Sequence, residues 1–484
     1  MSANTIKKNY IYNLIYHLLV MVVPIITTPY VSRILLASGV GAHSYTFSVV
    51  NYFALVVNLG IASYGQLQIS KYRDDKNSVS KTFYELVLLR FVVTLIVAIA
   101  YFVVVIQNCS LSYKSLYYAH FLYILAYSLD ITWFLQGLEE FKKIVVRNII
   151  VKFSAVILIF ALVKEPSDLV LYAILLNGST LLGNVSIWCF LPRYLKRICF
   201  RNLNIFSHLK PCLIYFIPTI STTIYLTLDK TMIGWIANGS AENGFYEQAH
   251  KIEQMIVTFL TSLSVVTMPR IAYLYEKKLL EEMNEKLRET MNFILFLSFP
   301  MCFGLIAVSD FFVPLFLGSG YERCIPLLKI FSLLLIVVGM NNAVGKQVLM
   351  AIGRQKQYNK CVLIGCLVNI IFNAILIPKY LAFGAAIASV LAEFVILLLF
   401  IRASSDFVGF KWILKRSIKY LVASVLMFLI VVNALHCLNM NWMNCLTLCM
   451  LGAICYLVLV LLLRDEFCQK YLSITLKSFF KKKG

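Results

Sequence analysis

The chain has 484 residues, 60% of them hydrophobic and only 14% charged, with a formal net charge of +21. Such a composition excludes an ordinary soluble domain. The excess of positive charge would suit nucleic acid, but the Lys and Arg residues gather between apolar runs and form no contiguous basic face, so a nucleic-acid partner is excluded as well.

The apolar runs recur from end to end, each long enough to cross a hydrocarbon core of ~30 Å as a helix. Fourteen are expected: 10–36, 42–69, 83–106, 114–137, 144–164, 168–192, 210–236, 244–269, 289–316, 325–350, 358–378, 381–401, 416–436 and 442–463. The first is too long, and followed by too many others, to be a cleaved signal peptide. With the N-terminus in the cytoplasm, and charges within three residues of a span end counted with the adjoining loop, 33 of the 44 Lys and Arg lie on that side, against 5 outside and six deeper within spans. That asymmetry sets the expected orientation, with both termini inside.

An ionisable group within a span costs several kcal/mol unless it meets a cavity or a partner, so each is a functional candidate. The first span carries Pro24, a natural hinge, and ends in Thr28-Pro-Tyr-Val-Ser-Arg33. Arg33 is either a substrate contact or a side chain that snorkels to the interface. Asn51 and Asn58 put a polar face on the second span, readable as interhelical hydrogen bonding. Arg90 on the third span and Lys152 on the fifth lie toward the cytoplasmic side and are candidate substrate contacts. On the fourth span Tyr123, Tyr127 and Asp130 share a face, ahead of Trp133-Phe-Leu-Gln-Gly137.

Residues 193–209 form a cytoplasmic linker, after which the pattern repeats. The stretch Leu213–Ile236 begins Leu-Ile-Tyr, carries Pro218 and a threonine-rich turn, and ends in Asp229 and Lys230; Leu14–Leu36 has the same plan. Two adjacent opposite charges cannot both face lipid, so at least one of Asp229 and Lys230 is expected to turn inward. Residues Glu276–Glu289 read as a cytoplasmic helix feeding the ninth span. On the tenth span Asn342, Lys346 and Met350 share a face, and the stretch Val348–Gln357 echoes Trp133–Lys142. Asp130 and Lys346 then fall at nearly equivalent places with opposite charge. They read either as an inner gate whose ion pair forms and breaks or as a static bridge. Asn369 and Asn373 add a polar face to the eleventh span. Glu393, one turn after Ser389, is the deepest acid of those considered; it is a candidate for ion coupling or a structural hydrogen bond.

The expected fold is therefore all-α and polytopic: a six-helix bundle over 1–192, the linker 193–209, a second six-helix bundle over 210–401, and two extra helices with a basic tail over 402–484. Internal repeats of this kind are common in transporters, where the binding site lies between the repeats. The loops leave no room for a catalytic domain. No Walker A loop, HExxH, G-x-S-x-G or dinucleotide fingerprint occurs in context. The thirteen cysteines lie mostly within spans without a CxxC pair, as small hydrophobes do. No cofactor or metal is expected.

The order of these features resembles the Wzx-type oligosaccharide flippases of the multidrug/oligosaccharidyl-lipid/polysaccharide export superfamily. The resemblance rests on Thr28–Arg33, Ser44-Tyr-Thr-Phe-Ser48, Trp133–Gly137, and Leu315-Phe-Leu-Gly318 followed by Tyr321. It runs over essentially the whole chain and implies two bundles arranged as a V around a cationic cavity in a bacterial cytoplasmic membrane. The implied cargo is a polyprenyl-diphosphate-linked oligosaccharide, with membrane lipids and polysaccharide polymerase machinery as further partners. Of the site residues, the resemblance carries over only Arg33. A cargo with about two negative charges moving outward gains about 2.3 kcal/mol per charge per 100 mV, so the membrane potential alone supplies roughly 4–5 kcal/mol. Drug/cation antiporters of the same superfamily are the first rival reading, and a membrane glycosyltransferase or polymerase the second.

Overall fold

The computed structural model describes residues 3–196, 203–236, 240–407, 409–465 and 467–469, with side chains described for all of these except 3–21, 218, 221–222, 240 and 262–266. The basic tail, the central residues of the linker and the side chain of Pro218 thus lie outside the described residues. Among the described residues the fold is helical throughout, without a strand. Ten helices among these residues are long and apolar enough to cross a membrane, so the chain is a multi-pass membrane protein.

The chain divides into two compact units, Met1–Gly244 and Phe245–Gly484. This division falls one helix later than the linker 193–209 because α8 packs on the first unit. The first unit holds α1 (Ala3–Asn58), α2 (Ile61–Tyr72), α3 (Lys76–Tyr101), α4 (Leu111–Ser128), α5 (Thr132–Gly137), α6 (Phe141–Leu162), α7 (Leu169–Ile187) and α8 (Leu209–Ile236). Within it α1 packs against α3, α4, α6 and α8, and α4 against α7. One apolar core gathers around Trp133, Phe83 and Phe134, and another around Tyr101 and Ile124. The faces turned away carry Leu95, Ile96, Ile157 and Leu182, exposed as suits lipid contact.

Three local features differ from the expected spans. The short loop expected after Leu36 is helical; the chain instead bends at one residue, Leu36, whose φ of 58° and ψ of 173° break an otherwise continuous α1. Pro24 and Pro29 sit inside the helix upstream, and the backbone departs from helical angles at Leu36 and not at either proline. The expected span 114–137 is two helices, α4 and α5, parted at Leu129–Ile131. Between α1 and α2 the chain turns through Leu59 and Gly60, both at positive φ. A Cβ on Gly60 would lie 2.5 Å from the Cys212 carbonyl oxygen and 2.7 Å from the Phe216 nitrogen, so glycine lets α8 approach this turn.

The start of α8 is tied down further. His208 Nε2 meets Glu85 Oε2 at 2.9 Å, and His208 Nδ1 meets the Tyr64 hydroxyl at 2.9 Å. The Asn204 backbone N–H donates to Glu85 Oε1 at 2.8 Å.

The second unit holds most of α9 (Ser240–Glu276) with α10 (Leu280–Leu317), α11 (Cys324–Asn341), α12 (Gln355–Tyr380), α13 (Ala382–Ala403), α14 (Phe410–Leu435) and α15 (Trp442–Leu462). The expected cytoplasmic helix 276–289 is the first part of α10, entered from α9 through a turn in which Lys278 has φ 58°. There α10 packs on α11, α14 and α15, and α13 on α11 and α12, around an apolar core whose members run from Ile271 to Cys468. A π-helical segment, Asn342–Met350, continues α11 and carries Lys346.

Candidate functional site: a polar cavity in the first unit

Beyond Leu36, α1 carries polar residues at helical spacings: Ser44, Ser48 and Tyr52 are four apart, and Asn51 and Asn58 seven apart. That spacing gathers them on one side of a helix. On α8, Thr219, Thr223, Thr227 and Thr231 recur every fourth residue and form a ladder along one face. Three of these hydroxyls donate to the carbonyl one turn earlier: Thr219 to Tyr215, Thr227 to Thr223 and Thr231 to Thr227. Back-bonding of this kind lets a hydroxyl persist in an apolar helix. The two faces meet where Ser48 Oγ and the Tyr52 hydroxyl lie 2.8 and 3.1 Å from Thr231 Oγ1.

Next to that contact α1, α4 and α8 part around a cavity of about 180 Å³, lined by Asn51, Leu55, Asn58, Tyr127, Thr219, Thr223, Leu226 and Thr227. Six of the eight lining side chains are neutral hydrogen-bonding groups, and none is charged. Among the described residues, Asn51, the Asn58 amide nitrogen and the Thr223 hydroxyl have no hydrogen-bond partner within the protein.

Arg90 stands behind this wall, only 3% exposed. One guanidinium nitrogen, Nη1, donates to the carbonyl of Asp130 and, at 3.4 Å, to that of Tyr127, while Nη2 lies 3.5 Å from Asn58 Oδ1. The Asp130 carbonyl lies in the break between α4 and α5, while the Tyr127 carbonyl, in the last turn of α4, also accepts the Asp130 backbone N–H at 3.3 Å. The Asp130 carboxylate accepts the Thr132 backbone N–H at 2.8 Å, at the start of α5. Arginine and aspartate therefore stabilise the two sides of one helix break, and the guanidinium orients Asn58 from behind.

A second polar cluster lies in the same unit. Buried His120 brings Nε2 to 3.1 Å from Thr46 Oγ1 and Nδ1 to 2.9 Å from Asn177 Nδ2. Thr46 passes its own proton to the Ala42 carbonyl at 2.7 Å. The pattern suits a neutral imidazole with its proton on Nε2. In the second unit Asn341 donates from Nδ2 to Glu393 Oε2 at 2.6 Å and to the Glu393 carbonyl at 3.0 Å. Glu253 on α9 is fully buried; its Oε2 accepts from Gln254 at 3.2 Å, and Oε1 has no hydrogen-bond partner among the described residues.

The family profile described as "Polysaccharide biosynthesis protein" matches residues 6–275, more than half of the chain. The chain belongs to this family. Its relatives include a putative O-antigen transporter of Shigella dysenteriae, 25% identical over 403 residues that cover 82% of this chain and 99% of the relative. A putative O-antigen transporter of Escherichia coli is 20% identical over 404 residues, 82% of this chain and 97% of that one. The fold is that of the solved Lipid II flippase MurJ in an inward closed conformation, with a TM-score of 0.69, 17% identity, and coverage of 93% of this chain and 97% of that one. An inward-facing MATE family transporter of the MOP superfamily is also similar, with a TM-score of 0.60, 14% identity, and coverage of 80% and 98%. A MatE profile matches residues 215–375. This polysaccharide biosynthesis protein is thus a Wzx-type member of the multidrug/oligosaccharidyl-lipid/polysaccharide export superfamily.

The residues expected from sequence lie in this family member as follows. Arg90, Asp130 and Asn58 come together beside the cavity. Arg33 is exposed on α1, and Lys152 is half-buried on α6; neither lines the cavity. Asp229 is buried and Lys230 half-buried on α8, and the Lys230 carbonyl accepts from Asn243 at 2.9 Å. Lys346 is exposed on the π-helical segment of the second unit, where Glu393 is half-buried. The threonine ladder, Glu253 and the His120 cluster were not foreseen. The ladder was legible in the fourfold spacing of threonine, and Glu253 by the same rule that singled out Glu393.

Proposed function

We propose that this protein moves polyprenyl-diphosphate-linked oligosaccharide repeat units from the cytoplasmic to the outer leaflet of a bacterial cytoplasmic membrane, by alternating access and without covalent catalysis. The observation that supports this reading best is the neutral polar cavity in the first unit, lined by three helices that also carry exposed apolar side chains. Such a cavity gives uncharged hydroxyl groups of a hydrophilic cargo hydrogen-bonding partners within an apolar bundle. The names of the relatives, O-antigen transporters and a Lipid II flippase, favour the same class of cargo.

In this reading the chain crosses the membrane fourteen times with both termini inside, as two six-helix halves (1–192 and 210–401) and two further helices. Pro24 and Pro218 act as hinges. Arg33, Lys152, Lys230 and Lys346 meet the diphosphate or its approach. Arg90 acts through Asn58 and the α4 carbonyls. Glu393 with Glu253, together with Asp130 and Asp229, couples ion movement or gating to transport. Polysaccharide polymerase machinery would receive the product. The MatE match over residues 215–375 favours a second reading, a drug/cation antiporter.

A strain deleted for the gene separates them. The flippase reading expects lipid-linked repeat units to accumulate on the cytoplasmic leaflet, with unchanged efflux of organic cations. Unaltered amount and sidedness of the lipid-linked sugars, with slowed cation efflux, would favour the antiporter.

A further inference from the structure

We infer that the cavity of the first unit is a glycan subsite: it receives one uncharged sugar residue of the cargo, while the diphosphate is held elsewhere. The inference rests on the flippase reading and adds which part of the cargo this cavity recognises.

The chemistry of the lining carries it. No charged side chain lines the cavity. Arg90 is buried behind Asn58 and Tyr127, and its guanidinium is directed to the Asp130 and Tyr127 carbonyls. A diphosphate entering here would lose hydration without gaining a bare counter-charge, a costly exchange. A sugar hydroxyl has a different requirement, since it both donates and accepts. Asn51 offers an amide with both capacities and has no partner among the described residues; the Thr223 hydroxyl is likewise uncommitted. Asn58 has its oxygen turned to Arg90, which leaves its NH2 group to donate. Tyr127 accepts from the Tyr123 hydroxyl at 3.3 Å and keeps its own proton to give.

Leu55, Leu226 and the Tyr127 ring supply apolar surface for the C–H face of a pyranose. The volume of about 180 Å³ suits one ring and excludes a whole repeat unit. A site built on neutral hydrogen bonds discriminates by leaving its own polar groups unpaired when the matching hydroxyl is missing. Asn51, Asn58 and Thr223 are therefore the residues that would read the sugar.

The test uses the purified full chain in proteoliposomes and two cargoes. One is the lipid-linked oligosaccharide extracted from cells lacking this protein; the other is the same polyprenyl diphosphate trimmed of every sugar. The readout is the ratio of flipping rates, intact over trimmed. Wild-type protein should favour the intact cargo, and Thr223→Val and Asn51→Leu should each lower the ratio by roughly tenfold, the scale of one or two neutral hydrogen bonds. Thr223→Ser, which keeps the hydroxyl, should restore most of it and guards against misfolding of the valine variant. A ratio unchanged in both variants, or a wild type that flips both cargoes equally, overturns the glycan subsite and leaves the flippase reading standing. A wild type that flips neither cargo overturns the flippase reading itself.

Discussion

Replacing Arg90 by methionine keeps much of the side-chain volume and removes the guanidinium. The donor bonded to the Asp130 carbonyl is lost outright, together with the longer contacts to the Tyr127 carbonyl and Asn58 Oδ1. One well-made bond from a charged donor contributes about 1.5–3 kcal/mol, and a carbonyl left dry costs about 1–3 kcal/mol more. Against this, the variant no longer buries a cation, which returns part of the loss. The net cost is about 2–3 kcal/mol. In a compact unit of this size that lowers the melting temperature by about 4–10 °C. Arg90→Lys should fall between, because an ammonium keeps the charge but cannot fork between two carbonyls. Thermal unfolding of the detergent-solubilised protein, followed by intrinsic fluorescence, measures the shift. An unchanged melting temperature with abolished transport would refute the capping role and return Arg90 to direct contact with cargo.

Gly60→Ala should destabilise the first unit more than an ordinary surface change, because the new Cβ meets the α8 backbone and positive φ disfavours alanine; a melting temperature within error of wild type would contradict this. Glu85→Ala removes the acceptor of the Asn204 N–H and the partner of His208, so the start of α8 should exchange its amide hydrogens faster, by roughly tenfold at Asn204. Exchange at wild-type rate would show that the linker is held by other contacts. Asp75 caps α3, and its hydrogen bonds from the Ser78 hydroxyl and then the Asn77 and Ser78 N–H groups hold its carboxyl below the usual carboxylate range. A carboxyl depressed in the folded state stabilises above its unfolded pKa and loses that contribution as pH falls through its folded value. The difference in melting temperature between wild type and Asp75→Ala should therefore shrink on acidification and not on alkalinisation.

Much of the architecture is legible in the apolar runs, since a lipid-spanning helix must satisfy its backbone internally and advertise itself by composition. What composition does not reveal is where a run is interrupted. Nothing in the string around Leu36 marks a residue at positive φ, whereas the prolines upstream, which do stand out, lie within helical backbone. The break after Ser128 is similar: Asp130 stands out as a charge in a span, but that its carboxylate would accept the Thr132 N–H at the start of α5 depends on the turn, not on the residue type. Arg90 shows the same limit. Its burial follows from sequence, and its partners, the Asp130 and Tyr127 carbonyls beside that break, follow only from the three-dimensional path of the chain there. Asn51 and Asn58 were readable as a polar face, yet the cavity beside them needed the threonines of α8, nearly 170 residues away in the chain. Glu253, like Glu393, is legible as an acid within a span, but its complete burial is a tertiary fact.

The central claim is that the protein carries a lipid-linked glycan across a bilayer. It is tested most directly by loading proteoliposomes with lipid-linked oligosaccharide and adding membrane-impermeant periodate, which oxidises only sugars exposed at the outer leaflet. With the protein present, nearly all of the glycan should become oxidised as the inner-leaflet pool is delivered outward. Oxidation that stops at the same plateau as in protein-free vesicles would contradict the account.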